Sequence, residues 1–212
     1  MKIALIDGAP LKGKAPAHVL MRKVKNVFRD HEIVEFDLHA RITGMELAAG
    51  INACDALILV FPLAMDGVPA VVVQFMADMQ YMLKKGMCVG AVAYDGLPGG
   101  RSCSTALRML KCFATRAHMH WSMGLGIGQG DILTIMSKFK GGPFRHVNKA
   151  LTTMMKAMTD MQEERDHYTD LGIPDFLYTN MASNRWEEKA EKHGLKPRDM
   201  RNGDPVDLRK KA

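Results

Sequence analysis

Short runs of apolar residues alternate, along the first 130 positions, with segments in which apolar residues recur every three or four positions. The run Ala56–Phe61 contains no polar residue, whereas a strand with one solvent-facing side alternates apolar and polar residues. This run therefore predicts a strand that is covered on both faces, as in a parallel sheet. The apolar pattern breaks at Pro62, passes through Asp66-Gly67 and resumes at Pro69 in a predicted helix, since proline is favoured at a helix start.

The same pattern predicts five strands and four helices in alternation. The predicted strands are Lys2–Ile6, Glu32–Asp37, the run from Asp55, Met87–Tyr94 and Met119–Ile127. The predicted helices are Pro16–Arg29, Met45–Ile51, Pro69–Lys84 and one from Ser102 or Ser104 to Ala117. Such alternation predicts an α/β fold with a parallel sheet, helices on both faces and right-handed crossovers. Five strands of this length favour the order 2-1-3-4-5.

The last third of the chain has a different pattern. It predicts two further helices, one at Phe144–Arg165 and one from Asn180 or Ser183 to near Gly194, with a loop at Tyr168–Thr179 between them. No linker rich in Ser, Pro or Gly precedes them, so we expect them to pack on the sheet within one domain, residues 1–195. Residues 196–212 are predicted to be a weakly ordered basic tail.

Composition narrows the class of protein. The chain has 212 residues, of which 47% are hydrophobic and 25% charged, and these values are ordinary for one globular domain. The longest apolar runs fall well short of the ~20 residues that a bilayer requires. The apolar start of the chain is interrupted at Asp7, which is too soon for a signal peptide. We therefore expect a cytoplasmic protein without a membrane partner.

The charge pattern and the spacing of possible metal ligands argue against a nucleic-acid-binding protein and against a metalloprotein. The net charge is +6, but the basic residues are scattered among acidic ones, which does not favour a nucleic-acid partner. A mildly positive surface suits phosphorylated small molecules. The four cysteines have no CxxC spacing and the eight histidines have no HxH or HExxH spacing. This indicates reduced thiols and no metal site.

Three loops are predicted at the carboxyl edge of the sheet, where open α/β sheets bind ligands. The first is Gly8-Ala9-Pro10-Leu11-Lys12-Gly13-Lys14-Ala15-Pro16. Its helix N-terminus and its two lysines are compatible with a phosphate site. A plain turn from strand to helix with solvated lysines explains the same residues, and the spacing leaves both interpretations open.

The other two loops follow the third and fourth strands. Residues Pro62-Leu63-Ala64-Met65-Asp66 would present an apolar wall and exposed backbone to a flat aromatic ligand. Residues Gly96-Leu97-Pro98-Gly99-Gly100 would let the backbone approach a ligand closely. Each loop is also explained as a simple connection. The convergence of all three loops favours a ligand site at this edge.

These motifs together resemble the flavodoxin-like NAD(P)H-dependent FMN oxidoreductases, the NADPH-dependent FMN reductase family. The segment DALILVFPLAMDGVPAVVVQF is similar to that family's strand ending in Pro-Leu-Tyr-x-Asp-x-(Leu/Ile)-Pro. The loop from Gly96 is similar to its Gly-Phe-Pro-Glu-Gly stretch, and WSMGLGIGQG to its Gly-rich segment after strand five. Two C-terminal pieces, IPDFLYTNMASNRW and AEKHGLKPRDM, match one subgroup. The resemblance runs from Met1 to about Leu195.

The resemblance implies a fold, a cofactor and a reaction. The fold would be a flavodoxin-like three-layer sandwich with extra C-terminal helices. FMN would lie at the carboxyl edge, with its phosphate in the first loop (Gly8, Ala9, Pro10, Lys12, Lys14, Ala15) and its ring between Pro62–Asp66 and Gly96–Gly100. The cofactor would accept hydride from NAD(P)H and reduce a quinone, a flavin or a nitro compound. A homodimer is expected, and no catalytic side chain is indicated.

The first loop departs from the family pattern. Alanines and a proline (Ala9, Ala15 and Pro16) replace hydroxyl-bearing residues, and Leu11 replaces an arginine. Each replacement removes a phosphate donor, and charge-assisted hydrogen bonds contribute roughly 1.5–3 kcal/mol each. Ala64 stands where the family commonly has an aromatic residue. The alternative function is therefore a flavodoxin-fold binding or regulatory protein that has lost flavin binding.

Overall fold

The computed structural model describes residues 1–10, 15–40, 43–137 and 142–195. Within these residues, six parallel strands form one sheet in the order β2-β1-β3-β4-β5-β6. The strands are β1 Lys2–Asp7, β2 Glu32–Asp37, β3 Ala56–Pro62, β4 Cys88–Tyr94, β5 His120–Ile127 and β6 His167–Thr169. The predicted order of the first five strands is confirmed. β6 is an additional strand, and the sequence pattern predicted a loop over most of it.

Helices cover both faces of the sheet. The described helices are α1 Ala15–Val27, α2 Gly44–Asn52, α3 Ala70–Met79, α4 Ser104–Arg116, α5 Leu133–Met136, α6 Arg145–Thr159 and α7 Asp175–Lys192. On one face α1 packs against α5 and α6. On the other face α3 contacts α2, and the Phe75 ring of α3 lies 6.1 Å from the Phe113 ring of α4.

The core lies on both sides of the central strands. Every residue of Ala56–Phe61 is 0% exposed, which confirms the prediction that this run is buried on both faces. In β4, Gly90 faces α6, and a Cβ at this position would lie 3.2 Å from the sulfur of Met158 and 3.3 Å from that of Met154. The absence of a side chain at Gly90 therefore lets the two methionines pack directly on the strand.

Helix α3 ends at Met79, five residues before the predicted end at Lys84. The reason is a side chain from another helix. The carboxamide of Asn52, at the end of α2, accepts a hydrogen bond from the Lys84 N–H at 2.8 Å and donates to the Met82 carbonyl at 2.9 Å. The backbone groups in the turn after α3 therefore have hydrogen-bond partners, which a longer helix would otherwise supply.

Helix α6 ends at Thr159, before the predicted end at Arg165. The chain beyond it lies along β5 instead. The Ser122 hydroxyl donates to the Gln162 carbonyl at 3.0 Å, and the Glu164 N–H donates to the Ser122 carbonyl at 2.7 Å. This attachment leads the chain into β6, whose three residues pair with β5.

The chain divides into two compact units, Met1–Gly172 and Ile173–Ala212. The first unit contains the sheet and α1 to α6. In the second unit α7 begins at Asp175, directly after Pro174 and earlier than predicted, and a glycine with positive φ, Gly194, follows its end. The predicted tail lies outside the described residues, so the domain boundary at 195 stays a prediction. No helix in the described part of the chain is long and apolar enough to cross a membrane.

Candidate functional site

The structure brings the starts of the three predicted loops together at the carboxyl edge of the sheet. They follow β1, β3 and β4, which are neighbours. The Gly8 N–H donates to the Val60 carbonyl of β3 at 2.9 Å, and the Leu63 N–H donates to the Tyr94 carbonyl of β4 at 2.8 Å. The loops therefore begin side by side, as the topology predicted.

The backbone donors at the described start of the first loop have partners within the protein. The Gly8 N–H is taken by β3, and the Ala9 N–H donates to a carboxylate oxygen (Oδ1) of Asp7 at 2.9 Å. Pro10 has no N–H to offer. Lys12 and Lys14, which were predicted to add cationic donors, lie outside the described residues, and Ala15 is the first residue of α1.

Asp7 is the central side chain of this turn. It is 13% exposed, and its second oxygen (Oδ2) lies 3.6 Å from Nε2 of His18 in α1. The Ala9 carbonyl accepts a hydrogen bond from Nε2 of His39 at 2.7 Å. Both backbone polar groups of Ala9 are thus occupied by side chains. The sequence analysis missed these roles of Asp7 and His39 because their partners are set by the fold.

The second loop is a tight hairpin. Ala64 and Gly67 exchange backbone hydrogen bonds of 2.9 and 3.0 Å, and the two residues between them, Met65 and Asp66, have φ values of 49° and 62°. Positive φ at both central residues is the conformation of two-residue β-hairpin turns. The Met65 side chain is fully exposed at the tip of this hairpin. The loop therefore presents an apolar side chain to solvent beside Pro62 and Leu63.

The third loop packs on β5 and on the residue that follows β6. The Gly99 N–H donates to Oδ1 of Asp170 at 2.7 Å. Gly100 is buried with a φ of 58°, and a Cβ at this position would lie 2.6 Å from the Gly126 carbonyl oxygen. The glycine at 100 is thus required by the protein's own backbone. Leu97 is 56% exposed, and the neighbouring Pro98 is exposed as well.

An aspartate lies within four residues of the carboxyl end of every described strand. In the order of the strands along the chain, these residues are Asp7, Asp37, Asp66, Asp95, Asp131 and Asp170. Burial raises the pKa of the Tyr94 phenol, and the negative charge of Asp7 raises this pKa further. The chain is basic as a whole, so the net charge does not reveal this local grouping of aspartates.

Two chemical possibilities are excluded within the described residues. No group of three His, Cys, Asp or Glu side chains there is arranged to hold a metal ion, and the predicted absence of a metal site stays a prediction for the whole chain. Cys103 lies just beyond the third loop, where it is fully buried, and burial raises the pKa of its thiol to about 11. A thiol with this pKa is protonated at neutral pH and is a poor nucleophile.

The comparisons with known proteins identify structures of the same fold but no matching family model. No family model matches the sequence, and a search of curated proteins finds no match. Solved structures do match. An NADPH-quinone reductase from P. pentosaceus is 18% identical with a TM-score of 0.54, and the match covers 77% of this chain and 99% of that one.

A flavodoxin from Streptococcus pneumoniae is 11% identical with a TM-score of 0.56, covering 76% of this chain and 99% of that one. This chain has the flavodoxin-like fold. An NADH:FMN oxidoreductase, solved in its apo form, is 13% identical with a TM-score of 0.58, covering 77% of this chain and 91% of that one. The fold and these neighbours agree with the family resemblance seen in the sequence motifs.

FMN is the cofactor that this resemblance implies, and its two ends meet different surfaces here. Met65 and Leu97 are exposed apolar side chains on loops from adjacent strands, and apolar side chains are compatible with the flat ring of a flavin. The described start of the first loop, Gly8 to Pro10, offers a phosphate no free backbone N–H. The N–H groups of Gly8 and Ala9 already have acceptors, the Val60 carbonyl and the Asp7 carboxylate.

Proposed function

We propose that this protein is a flavin-dependent oxidoreductase that passes electrons from NAD(P)H to a small acceptor such as a quinone, a free flavin or a nitro compound. The observation that carries this proposal is the pair of adjacent loops after β3 and β4, with exposed apolar side chains at Met65 and Leu97. In flavodoxin-like folds the carboxyl edge of the sheet is the ligand edge.

In this proposal the isoalloxazine ring lies between Pro62–Asp66 and Gly96–Gly100. A bound flavin supplies the redox chemistry, and the protein supplies position and electrostatics. The hairpin from Ala64 to Gly67 is held by two backbone hydrogen bonds, and the third loop is held at Gly99 by Asp170. Both walls of the proposed ring site are therefore fixed before a ligand arrives, which reduces the entropy lost on binding.

The proposal is tested by adding flavins to the purified full chain. We expect quenching of riboflavin or FMN fluorescence and an upward shift of the melting temperature. Leu97→Asp places a charge on the ring wall and should weaken binding about tenfold or more, since burying an unpaired charge is unfavourable. Met161→Asp is the matched control, because Met161 is 48% exposed and follows α6, away from the three loops.

Failure of this test is easy to recognise. A colourless protein that neither quenches nor is stabilised by either flavin is not a flavin-dependent enzyme. If flavin binds, oxidation of NADH and NADPH is followed with a quinone, a nitro compound and excess flavin as acceptors. The relative rates then identify the donor and the acceptor.

A second candidate function is a flavodoxin-fold binding or regulatory protein that has lost flavin. Two observations favour it: the Ala9 N–H at the start of the first loop already donates to Asp7, and Ala64 replaces the aromatic residue that the family resemblance implies. The flavin titration separates the two functions, because this candidate binds neither riboflavin nor FMN.

We also propose a homodimer located in the cytoplasm. Exposed apolar side chains on α3, on the turn after it and on α4 support pairing, since apolar patches on a surface mark contact sites. These are Val73 at 43%, Tyr81 at 87% and Met109 at 42% exposure. Light scattering on the purified chain tests this. A dimer mass is expected, and Met109→Asp should shift it towards the monomer, whereas a monomer for the unmodified chain contradicts the proposal.

A further inference from the structure

A groove lies between α6 and the segment that leads from α6 into β6, on the face of the sheet that α6 covers. Its volume is about 330 Å³, which is at the small end of the range for ligand pockets. Its lining residues belong to none of the three loops at the carboxyl edge. The groove is therefore a second candidate site, outside those loops.

One wall of the groove is a face of α6. Lys149 and Thr153 follow His146 by three and seven positions, so the three side chains lie on the same side of the helix. Ala150 of this face and Met123 of β5 also line the groove, and they are only 4% and 1% exposed. The groove therefore combines a polar helix wall with an apolar floor.

The opposite wall is attached to the sheet. The Glu164 N–H donates to the Ser122 carbonyl of β5 at 2.7 Å, and His167 of β6 is the register partner of Leu125. Arg165 lies between these two attached residues and lines the groove with them. The backbone of this wall is therefore in place before a ligand arrives, which reduces the entropy lost on binding.

Positive charge predominates among the described residues of the two walls. Lys149 and Arg165 are charged at neutral pH, and each of the two histidine rings has an N–H donor in either tautomer. Glu164 is the only acidic residue among the described residues that line the groove. A concave surface lined mainly by one sign of charge concentrates the field and attracts the opposite charge.

The acidic residues nearest to Arg165 in the chain, apart from Glu164, have other partners. The carboxylate of Glu163 accepts a hydrogen bond from Nζ of Lys111 in α4, which covers the other face of the sheet. Oδ1 of Asp166 accepts the indole N–H of Trp121. Within the described part of the chain, no carboxylate forms an ion pair with Arg165.

The same holds for Lys149, whose side chain forms no ion pair within the described residues. Two exposed cations on facing walls can thus both be used by an anion from solution. An arginine fork binds two oxygens of a phosphate at once, and a lysine adds a point charge. We propose that this groove binds a small phosphorylated molecule, with its phosphate between Arg165 and Lys149 and its apolar part on the floor of the groove.

The test titrates the purified full chain with inorganic phosphate, phenyl phosphate and phenol by calorimetry at neutral pH and constant ionic strength. Both phosphates should bind saturably, with dissociation constants on the order of 1 mM. Phenyl phosphate should bind several times more tightly than inorganic phosphate, because its ring covers apolar surface. Phenol, which has the ring without the charge, should not bind measurably.

Arg165→Gln is the decisive variant and should weaken both phosphates about tenfold, since it removes charge-assisted hydrogen bonds. Glu164→Gln should act in the opposite direction and strengthen binding about threefold, because it removes a like charge from the same wall. Arg108→Gln is the matched control, because it makes the same change at an exposed position of α4. Unchanged melting temperatures without ligand show that the variants are folded.

Two results would overturn this inference: no saturable binding of either phosphate up to about 20 mM, or equal losses of affinity in Arg165→Gln and Arg108→Gln. Equal losses would mean that the anions respond only to the overall charge of the protein. If phenyl phosphate binds no more tightly than inorganic phosphate, the placement of an apolar part on the floor is wrong. No flavin enters these titrations, so their outcome leaves the proposed oxidoreductase function as it stands.

Discussion

The carboxylate of Asp7 accepts a hydrogen bond from the backbone N–H of Ala9 at 2.9 Å. This contact occupies one of the backbone donors of the first loop with an acid two residues earlier in the chain. The same kind of bond joins Asp55 to the Lys2 N–H at the opposite edge of the sheet. There it ties two strands together, whereas at Asp7 it lies on the edge where open α/β sheets generally bind ligands.

Gly100→Ala should lower the free energy of unfolding by more than about 2 kcal/mol. The φ of Gly100 is 58°, and an added Cβ would lie 2.6 Å from the Gly126 carbonyl oxygen and 2.9 Å from that of Thr169. Both neighbours are backbone atoms of the sheet, which have little room to move. Urea denaturation measures the loss.

Gly99→Ala is the matched control for this substitution. Gly99 also has positive φ, at 95°, but an added Cβ would meet nothing within 4 Å. Gly99→Ala should lower the free energy of unfolding by only about 1 kcal/mol, which is the cost of strain in this backbone conformation. Equal losses in the two variants would mean that the packing of the third loop against β5 and β6 contributes little.

Asp166→Ala should lower the free energy of unfolding by about 2–4 kcal/mol, because it leaves two donors without an acceptor. Oδ1 of Asp166 accepts the Trp121 indole N–H at 3.2 Å and the Gly124 N–H at 2.8 Å. Asp166→Asn keeps an oxygen at this position and should lower the free energy of unfolding less. Urea denaturation followed by tryptophan fluorescence measures each change, with the exposed Asp160→Ala as control. A loss no larger than that of the control would show that this attachment of the chain to β5 is dispensable.

Thr43→Ala should destabilise the protein by about 1 kcal/mol near neutral pH, the usual loss for a threonine N-cap. Thr43 and Glu46 form a capping box at the start of α2. Hydrogen bonds from Thr43, first from its N–H and then from its hydroxyl, hold the pKa of Glu46 below the ordinary value of 4.5.

The pH dependence of this cap follows from the direction of that shift. A carboxyl whose pKa is lowered by folding stabilises the folded state above its unfolded pKa, and this contribution is lost as the pH falls through the folded pKa. The stability difference between the unmodified protein and Thr43→Ala should therefore be constant above about pH 6 and shrink below about pH 4.5. Urea titrations across that range check it, and a difference that grows in acid would contradict the assignment.

One thiol per chain should react rapidly with an aromatic disulfide reagent at pH 8. Cys112 is exposed, whereas Cys54, Cys88 and Cys103 are buried. Burial raises the pKa of Cys88 and of Cys103 to about 11, and it raises the pKa of Cys54 as well. A raised pKa and low access both slow the reaction, since the thiolate is the nucleophile. Four thiols should react after unfolding, and Cys112→Ser should abolish the fast phase. A second fast thiol in the native protein would contradict the burial of these side chains.

The order of the first five strands could be predicted because it depends on local patterns and one handedness rule. The apolar run at Ala56–Phe61 requires burial on both faces, and the alternation of strands with helices requires right-handed parallel crossovers. Those two facts place the loops after β1, β3 and β4 at one edge. Proline and glycine near the loop starts, such as Pro62 and Gly96, then mark where each strand ends.

The sequence by itself determined the class of the sheet, the buried central strand and the edge at which the three loops begin, because each of these follows from the spacing of apolar residues. The tertiary structure alone decided how the backbone donors and acceptors are used. Asn52 ends α3 by bonding to Lys84, Asp170 holds Gly99, and β6 exists because β5 offers it a partner. Hydrogen bonds between residues far apart in sequence leave no periodic pattern. Even the Asp7 bond to Ala9, only two residues away, depends on the turn that β1, β3 and α1 impose on the chain.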